Sequence, residues 1–159
     1  MNIFVLHWLP QIAALYHCDK HVVKMILEYA QILCTTHRYY GATDDVLYKK
    51  THVNHPACVW VRESKSNYDW LYELFCECCK EYTFRYKKVH KTQQRLMERL
   101  KEAPMLLKDI DITTFPQCMP DECKVENNAI EAYRQYYIAE KAYMAVWKFR
   151  ETPEFMKRA

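Results

Sequence analysis

A single glycine in 159 residues is the first constraint on this chain. Tight turns at positive φ draw on glycine, and β-rich folds need many of them, so a chain nearly without it points to helices. No apolar run approaches the roughly 20 residues that a membrane span requires. The opening Met1-Asn2-Ile3-Phe4-Val5-Leu6 has no basic start and no small-residue cleavage site, so it does not read as a secretory signal. The expected location is therefore intracellular, not secreted, with no membrane partner. Charge of one sign is not in excess either: the formal net charge is +3, which permits a polyanionic partner without demanding one. The eight cysteines are accordingly expected as reduced thiols rather than a disulfide frame. Cys76, Cys78 and Cys79 lie within a helical pattern where the sulfurs point in different directions, and Cys118 and Cys123 are a lone pair, spaced wider than a zinc knuckle and without a second Cys-x-x-Cys. No metal and no cofactor are expected.

What the chain does have is helical periodicity. Half of it is hydrophobic, enough for one core, and the expectation is a compact all-α bundle, a single helical domain over residues 1–159. Residues 3–6 form one short extended segment. Pro10 suits the first turn of a helix over 11–16. A main helix over 19–37, with Asp19 as its possible cap, fades near Arg38. Asn54 and Pro56 start another helix that runs to about Glu63. Ser66 to Asp69 resembles a capping box opening a helix to Tyr86. Helices over 92–102 and 129–148 follow, the latter capped by Asn128 with Glu131. The 103–127 stretch between them is a long loop of the kind that carries function. The 19–37 helix is expected to pack on both the 68–86 and 129–148 helices, with Leu27 on the flank of its buried face.

Three groups of residues carry possible chemistry. In the main helix, Val22, Val23, Ile26, Ala30, Leu33 and Cys34 share one apolar face. His17, His21, Lys24, Glu28, Gln31 and Thr35 follow at steps of three or four and form one polar stripe. A carboxylate beside His and Lys is a plausible general base or stabiliser of a developing cation. His17, His21 and Glu28 also admit a metal-hydrolase reading, although the Glu of H-E-x-x-H is missing. The second group is His52, Asn54 and His55 with Trp60, Arg62 and Asn67, where a helix start can meet an anion. The third is Tyr133, Arg134 and Tyr137 with Lys141, Trp147 and Lys148, aromatics and cations interleaved as nucleic-acid binding requires. Each group also has a plain reading as solvated helix edge, loop punctuation or core tyrosines.

Asp19-Lys20-His21 followed by Glu28 resembles the Asp-x-His and catalytic glutamate of the phage-type pyrimidine-dimer DNA glycosylases. Glu140-Lys141 and the closing Arg150-Glu151-Thr152-Pro153-Glu154-Phe155 look like that family's ending. His17-Cys18-Asp19-Lys20-His21 and Asn54-His55-Pro56 also look like motifs of small proteins of large DNA phages and viruses. The resemblance implies an all-helical enzyme that clamps double-stranded DNA and removes a base, in the host cytoplasm or nucleus if viral. In that family the N-terminal amine attacks the sugar C1′ and the glutamate stabilises the cationic intermediate. Carried over, Glu28 is the catalytic carboxylate, with His21 and Lys24 beside it. His17, Gln31, His52, Asn54, His55, Arg62, Tyr133, Arg134, Tyr137 and Lys141 would contact DNA. Asn2 is a poor context for removal of Met1, so hydrolysis by water is expected rather than a Schiff-base step. A nucleic-acid-binding or virion protein without catalysis is the alternative.

Overall fold

The structure, a computed structural model, describes residues 1–158. Among them are six α-helices and no strand: α1 (Pro10–Tyr16), α2 (Asp19–Tyr39), α3 (Pro56–Val61), α4 (Lys65–Tyr86), α5 (Lys91–Leu100) and α6 (Ala129–Tyr136). The all-α expectation holds. The axis of the bundle is α2, with α3, α4 and α5 packed on it and α1 laid against α4. Ile26, Ala30 and Leu33 are fully buried, as the periodicity requires, but so are Tyr29 and Ile32 on other sides. Helix α2 is therefore covered nearly all round. Its uncovered edge includes Val23 and Leu27, so Leu27 flanks solvent rather than core.

The covering comes partly from the N-terminal segment. Ile3 to Leu6 are buried, and Phe4 N donates to Tyr29 Oη on α2 at 3.2 Å. The N-terminal end of α2 is closed by Arg85 of α4, whose guanidinium is fully buried. It donates to Glu81 at 2.9 Å, to Asp19 at 3.0 Å, and to the carbonyls of His17 at 2.8 Å and Leu15 at 3.1 Å. Asp19 is thus an anchor rather than a cap, and Cys18 holds the N-cap position. Glu81 also accepts from Arg150 at 2.7 Å. Two arginines and two carboxylates so lock α4 to the α1–α2 junction and to the C-terminal segment.

Several helix ends differ from those expected. At α3 the cap is His55, whose Nδ1 accepts from Ala57 N at 3.1 Å, while Asn54 is exposed. At α4 it is Ser64, accepting from Asn67 N at 3.0 Å, which leaves Asn67 free for another task. Asn67 donates to Trp60 O at 2.7 Å and accepts from Thr113 N at 2.9 Å, pinning the long 103–127 loop. Phe115 then seats between Trp60 and Trp70, with ring centroids 4.9 and 4.8 Å away. The Asn128 cap forms as expected, accepting from Glu131 N at 3.0 Å.

The last helix does not reach residue 148. After α6 the chain makes one π turn over Tyr137–Lys141 and doubles back, so that Trp147 Nε1 donates to Tyr16 O at 3.0 Å. No extended packing of α6 on α2 results, and it is Tyr137, at the start of the π turn, that reaches His21 of α2. No helix among the described residues is long and apolar enough to cross a membrane. All eight cysteines are free.

Candidate active site

The polar stripe of α2 separates into two parts. His17 is fully buried. Its Nδ1–H donates to Ala13 O at 2.6 Å, so its Nε2 is the acceptor for Tyr29 Oη–H, also at 2.6 Å. Burial pushes its pKa down to about 4. His17 is therefore a neutral core residue, not a DNA contact. Thr35 is likewise buried, its hydroxyl donating to Thr51 O at 3.2 Å.

His21, Lys24 and Glu28 instead line a cleft of about 470 Å³. Its other walls are Met1, Asn2 and Phe4 of the N-terminal segment, Met25, His55, Cys118 and Met119 of the long loop, and Tyr136 and Lys141. Glu28, only 16% exposed in its side chain, faces two cations. The Met1 ammonium lies 3.9 Å from Oε2 and Lys24 Nζ 3.5 Å from Oε1.

His21 stacks on Phe4 at 4.3 Å, and Tyr137 Oη lies 2.6 Å from its Nδ1. Tyr137 Oη accepts from Cys18 N at 3.4 Å. With Cys18 N as its donor, the buried hydroxyl is placed to donate to Nδ1 at 2.6 Å, which leaves Nε2–H as the free nitrogen of His21. Burial, then His17 and Lys141, push this histidine down to about 3. It is a neutral N–H donor, not an imidazolium clamp for phosphate. His55, with its Nδ1 taken by Ala57 N, is held below the ordinary histidine range by burial and then by the Met1 ammonium. Lys141 stands over Tyr136 at 4.9 Å. It leaves the π turn, a local widening often found at functional sites.

The N-terminal wall is fixed by one network. Asn2 Nδ2 donates to Cys118 O at 2.7 Å, and Asn2 Oδ1 accepts from Ile3 N at 2.8 Å and from Tyr133 Oη at 2.7 Å. Tyr133 is fully buried and serves this network rather than a ligand, as Tyr137 serves His21. Arg134 donates to Leu6 O at 3.0 Å and lies against Tyr16 and Phe155, so it too is structural. Arg62 donates to Val53 O at 2.6 Å and covers Tyr39. Gln31, His52, Asn54 and Arg62 do not line the cleft. Met1, Asn2, Cys118 and Met119, which do, carry no motif that would single them out. The one hint is a polar Asn2 at the head of an apolar segment.

The metal donor set does not assemble. Both nitrogens of His17 are engaged, and among the described residues no three His, Cys, Asp or Glu side chains converge to hold an ion. Larger hollows exist beside Trp8, of about 540 Å³ and 690 Å³. The first has aromatic and amide walls and no ionisable lining group, and the second has carboxylates, Asp69 among them already paired with Lys65, and no cation in its lining. The fold and the cleft thus define an all-α protein with one carboxylate held among cations and N–H donors. Compared with known proteins, the chain matches no family model, no curated protein and no solved structure.

Proposed function

We propose that this protein is a DNA N-glycosylase-like enzyme that cleaves the N-glycosidic bond of a damaged or modified base, with Glu28 as its catalytic carboxylate. The observation that carries this is Glu28 itself, the one carboxylate in a cleft whose charged groups are otherwise cations. Departure of a base builds positive charge on the sugar ring, and a fixed carboxylate near C1′ lowers that barrier electrostatically. Water adds hydroxide to C1′ and supplies the proton that leaves with the base. Lys24 and Lys141 at the mouth suit the flanking phosphates, and the His21 N–H suits a sugar or base oxygen.

The test is Glu28→Gln, which keeps size and removes charge. Base release should fall by roughly two to four powers of ten while DNA binding persists. A chelator should leave the parent's rate unchanged. Equal rates in both proteins would remove Glu28 from the chemistry, and no base release from either would leave a nucleic-acid-binding protein without catalysis.

A second reading has its own observation, the α-amine of Met1 beside Glu28. The deprotonated amine would attack C1′ and displace the base; one amine proton leaves with the base, and the other passes through Glu28 to O4′ as the C1′–O4′ bond opens and an imine forms. Borohydride then traps a covalent protein–DNA adduct. The water reading yields none.

A further inference from the structure

A second surface, outside the cleft, combines strain, exposed aromatics and unpaired charge. Phe149 has φ of 62°, a conformation that costs a bulky side chain energy and is uncommon outside glycine. Burial does not offset that cost, because the ring is 64% exposed. The ring meets exposed Phe84 edge-on, 6.4 Å between centroids. Lys87, the other left-handed residue at this spot with φ of 57°, holds its ammonium 5.4 Å from the Phe149 ring and 4.8 Å from Phe84. Lys148 lies 5.4 Å from Phe149 as well. The left-handed C-cap of α4 and the left-handed turn at Phe149 thus bring two aromatics and two lysines together.

The charge here is not neutralised locally. Glu81 and Asp19, the nearby carboxylates, are engaged by Arg85 and Arg150. Lys87 and Lys148 pair with no carboxylate among the described residues, unlike Lys65, Lys80, Lys124 and Lys157. The patch is also tied to the cleft. The segment that leaves the cleft at Lys141 is clamped by Asp19, whose N–H donates to Val146 O at 2.8 Å and whose carboxylate accepts from Lys148 N at 2.9 Å. Asp19 lies two residues before His21.

We propose that Phe149, backed edge-on by Phe84 whose own face is covered by Arg150 at 3.8 Å, is a stacking platform for unpaired bases of the nucleic acid whose sugar enters the cleft, a partner choice that rests on the glycosylase reading. The mechanism follows from the cations. Among the described residues the Lys148 ammonium has only ring contacts and that of Lys87 one further hydrogen bond, to Phe84 O at 2.6 Å; both are exchanged for phosphates with release of counterions. Lys87 and Lys148 then grip the backbone, and the uncovered ring face takes a base. Stacking of this kind is indifferent to sequence, so the patch would secure a strand while the cleft selects the lesion.

The experiment uses the full chain carrying Glu28→Gln, so that no turnover intervenes, and a single-stranded oligonucleotide containing the fluorescent base 2-aminopurine. Binding should quench the fluorophore. Phe149→Ala should abolish the quench and weaken binding roughly tenfold, whereas Phe149→Tyr should retain both. Lys87→Ala with Lys148→Ala should reduce the salt slope by about 1.4, the share of two contacts to a single strand. Unaltered quenching and affinity in Phe149→Ala would overturn the proposal. So would binding to phosphatidylserine vesicles with none to the oligonucleotide. Base release is measured separately on the protein with Glu28 intact. If it is absent while quenching depends on Phe149, the glycosylase reading fails and the platform stands. If it is present while Phe149→Ala quenches normally, the platform alone fails.

Discussion

Acidification should unfold this protein well above the range in which carboxylates titrate, because its core holds three neutral histidines. His17, His21 and His37 are each at most 5% exposed, and each has one proton placed by its neighbours. For His37, Tyr68 Oη donates to Leu100 O at 2.7 Å, so the histidine Nε2–H donates to that hydroxyl at 2.8 Å. Its Nδ1 then accepts from Arg99 at 3.4 Å. Burial, and then Arg99, push His37 down to about 4, alongside about 4 for His17 and about 3 for His21. The unfolded pKa is near 6.5, so below it the unfolded chain binds protons that the folded chain refuses. Stability is therefore full above about pH 6.5 and is lost as pH falls toward the folded values. Going from about pH 7.5 to about pH 5 costs about 2 kcal/mol per histidine, or about 6 kcal/mol for three, against a typical total of 5–15. Asp44, held low by Arg99, adds nothing in this window, since its contribution is lost only below the ordinary carboxylate range. Urea unfolding followed by circular dichroism across that range measures the loss directly. His37→Gln should remove about a third of the slope. Stability constant to within about 1 kcal/mol over that range would refute the assignment of neutral buried imidazoles.

Other expectations concern the frame and the cleft. Arg85→Met takes the buried cation from Asp19, from two carbonyls and from one side of Glu81, which keeps Arg150, and should cost about 3–5 kcal/mol, visible as a lower denaturation midpoint, whereas an unchanged midpoint would mean the network is energetically idle. Leu27→Asp should alter stability by about 0.5 kcal/mol or less, since Leu27 is 40% exposed, while Ile26→Ala should cost about 2–5 kcal/mol. The same urea titration compares the two. Arg134→Ala should loosen the N-terminal segment and lower the melting temperature, whereas Lys141→Ala should leave melting alone and flatten the salt dependence of DNA binding by about one unit. A reversal of those two phenotypes would relocate the binding surface.

The helical class was legible because glycine poverty and apolar spacing are properties of the local chain. Helix ends were less so, since they depend on which of several polar residues wins the cap: Ser64 over Ser66, His55 over Asn54. Periodicity also could not reveal that α6 stops at a π turn, because the Tyr137 hydroxyl is drawn to His21, more than a hundred residues away in the chain. The stripe from His17 to Thr35 was correctly spaced, yet spacing does not say what lies over a face. Arg85 reads in sequence as a solvated helix residue, and nothing local reports that its partners are Asp19, Glu81 and two carbonyls. His17 was lost to the core for the same reason. Of the cleft, Glu28, His21, Lys24, His55 and Lys141 could be picked out by residue type. Met1, Asn2 and Cys118 could not, since they are assembled by hydrogen bonds between the two ends of the chain.

The direction of those hydrogen bonds carries the argument about the cleft further than the residue types do. Once Tyr137 donates to His21 Nδ1 and Ala57 N donates to His55 Nδ1, each neutral ring has only an N–H left to offer. With the Met1 ammonium, Lys24 and Lys141, the ionisable groups around the cleft are then donors, and Glu28 is the one strong acceptor. A site so arranged favours a ligand that is itself rich in acceptors, such as a phosphodiester, and opposes a free cation at the mouth. Only close to Glu28 does the field reverse, where a carboxylate shielded from water can oppose positive charge more strongly than in bulk solvent. An anionic ligand that becomes locally cationic at one carbon as it reacts is the kind of molecule both halves of this cleft would bind. Loss of a base from a nucleotide within a strand is such a reaction.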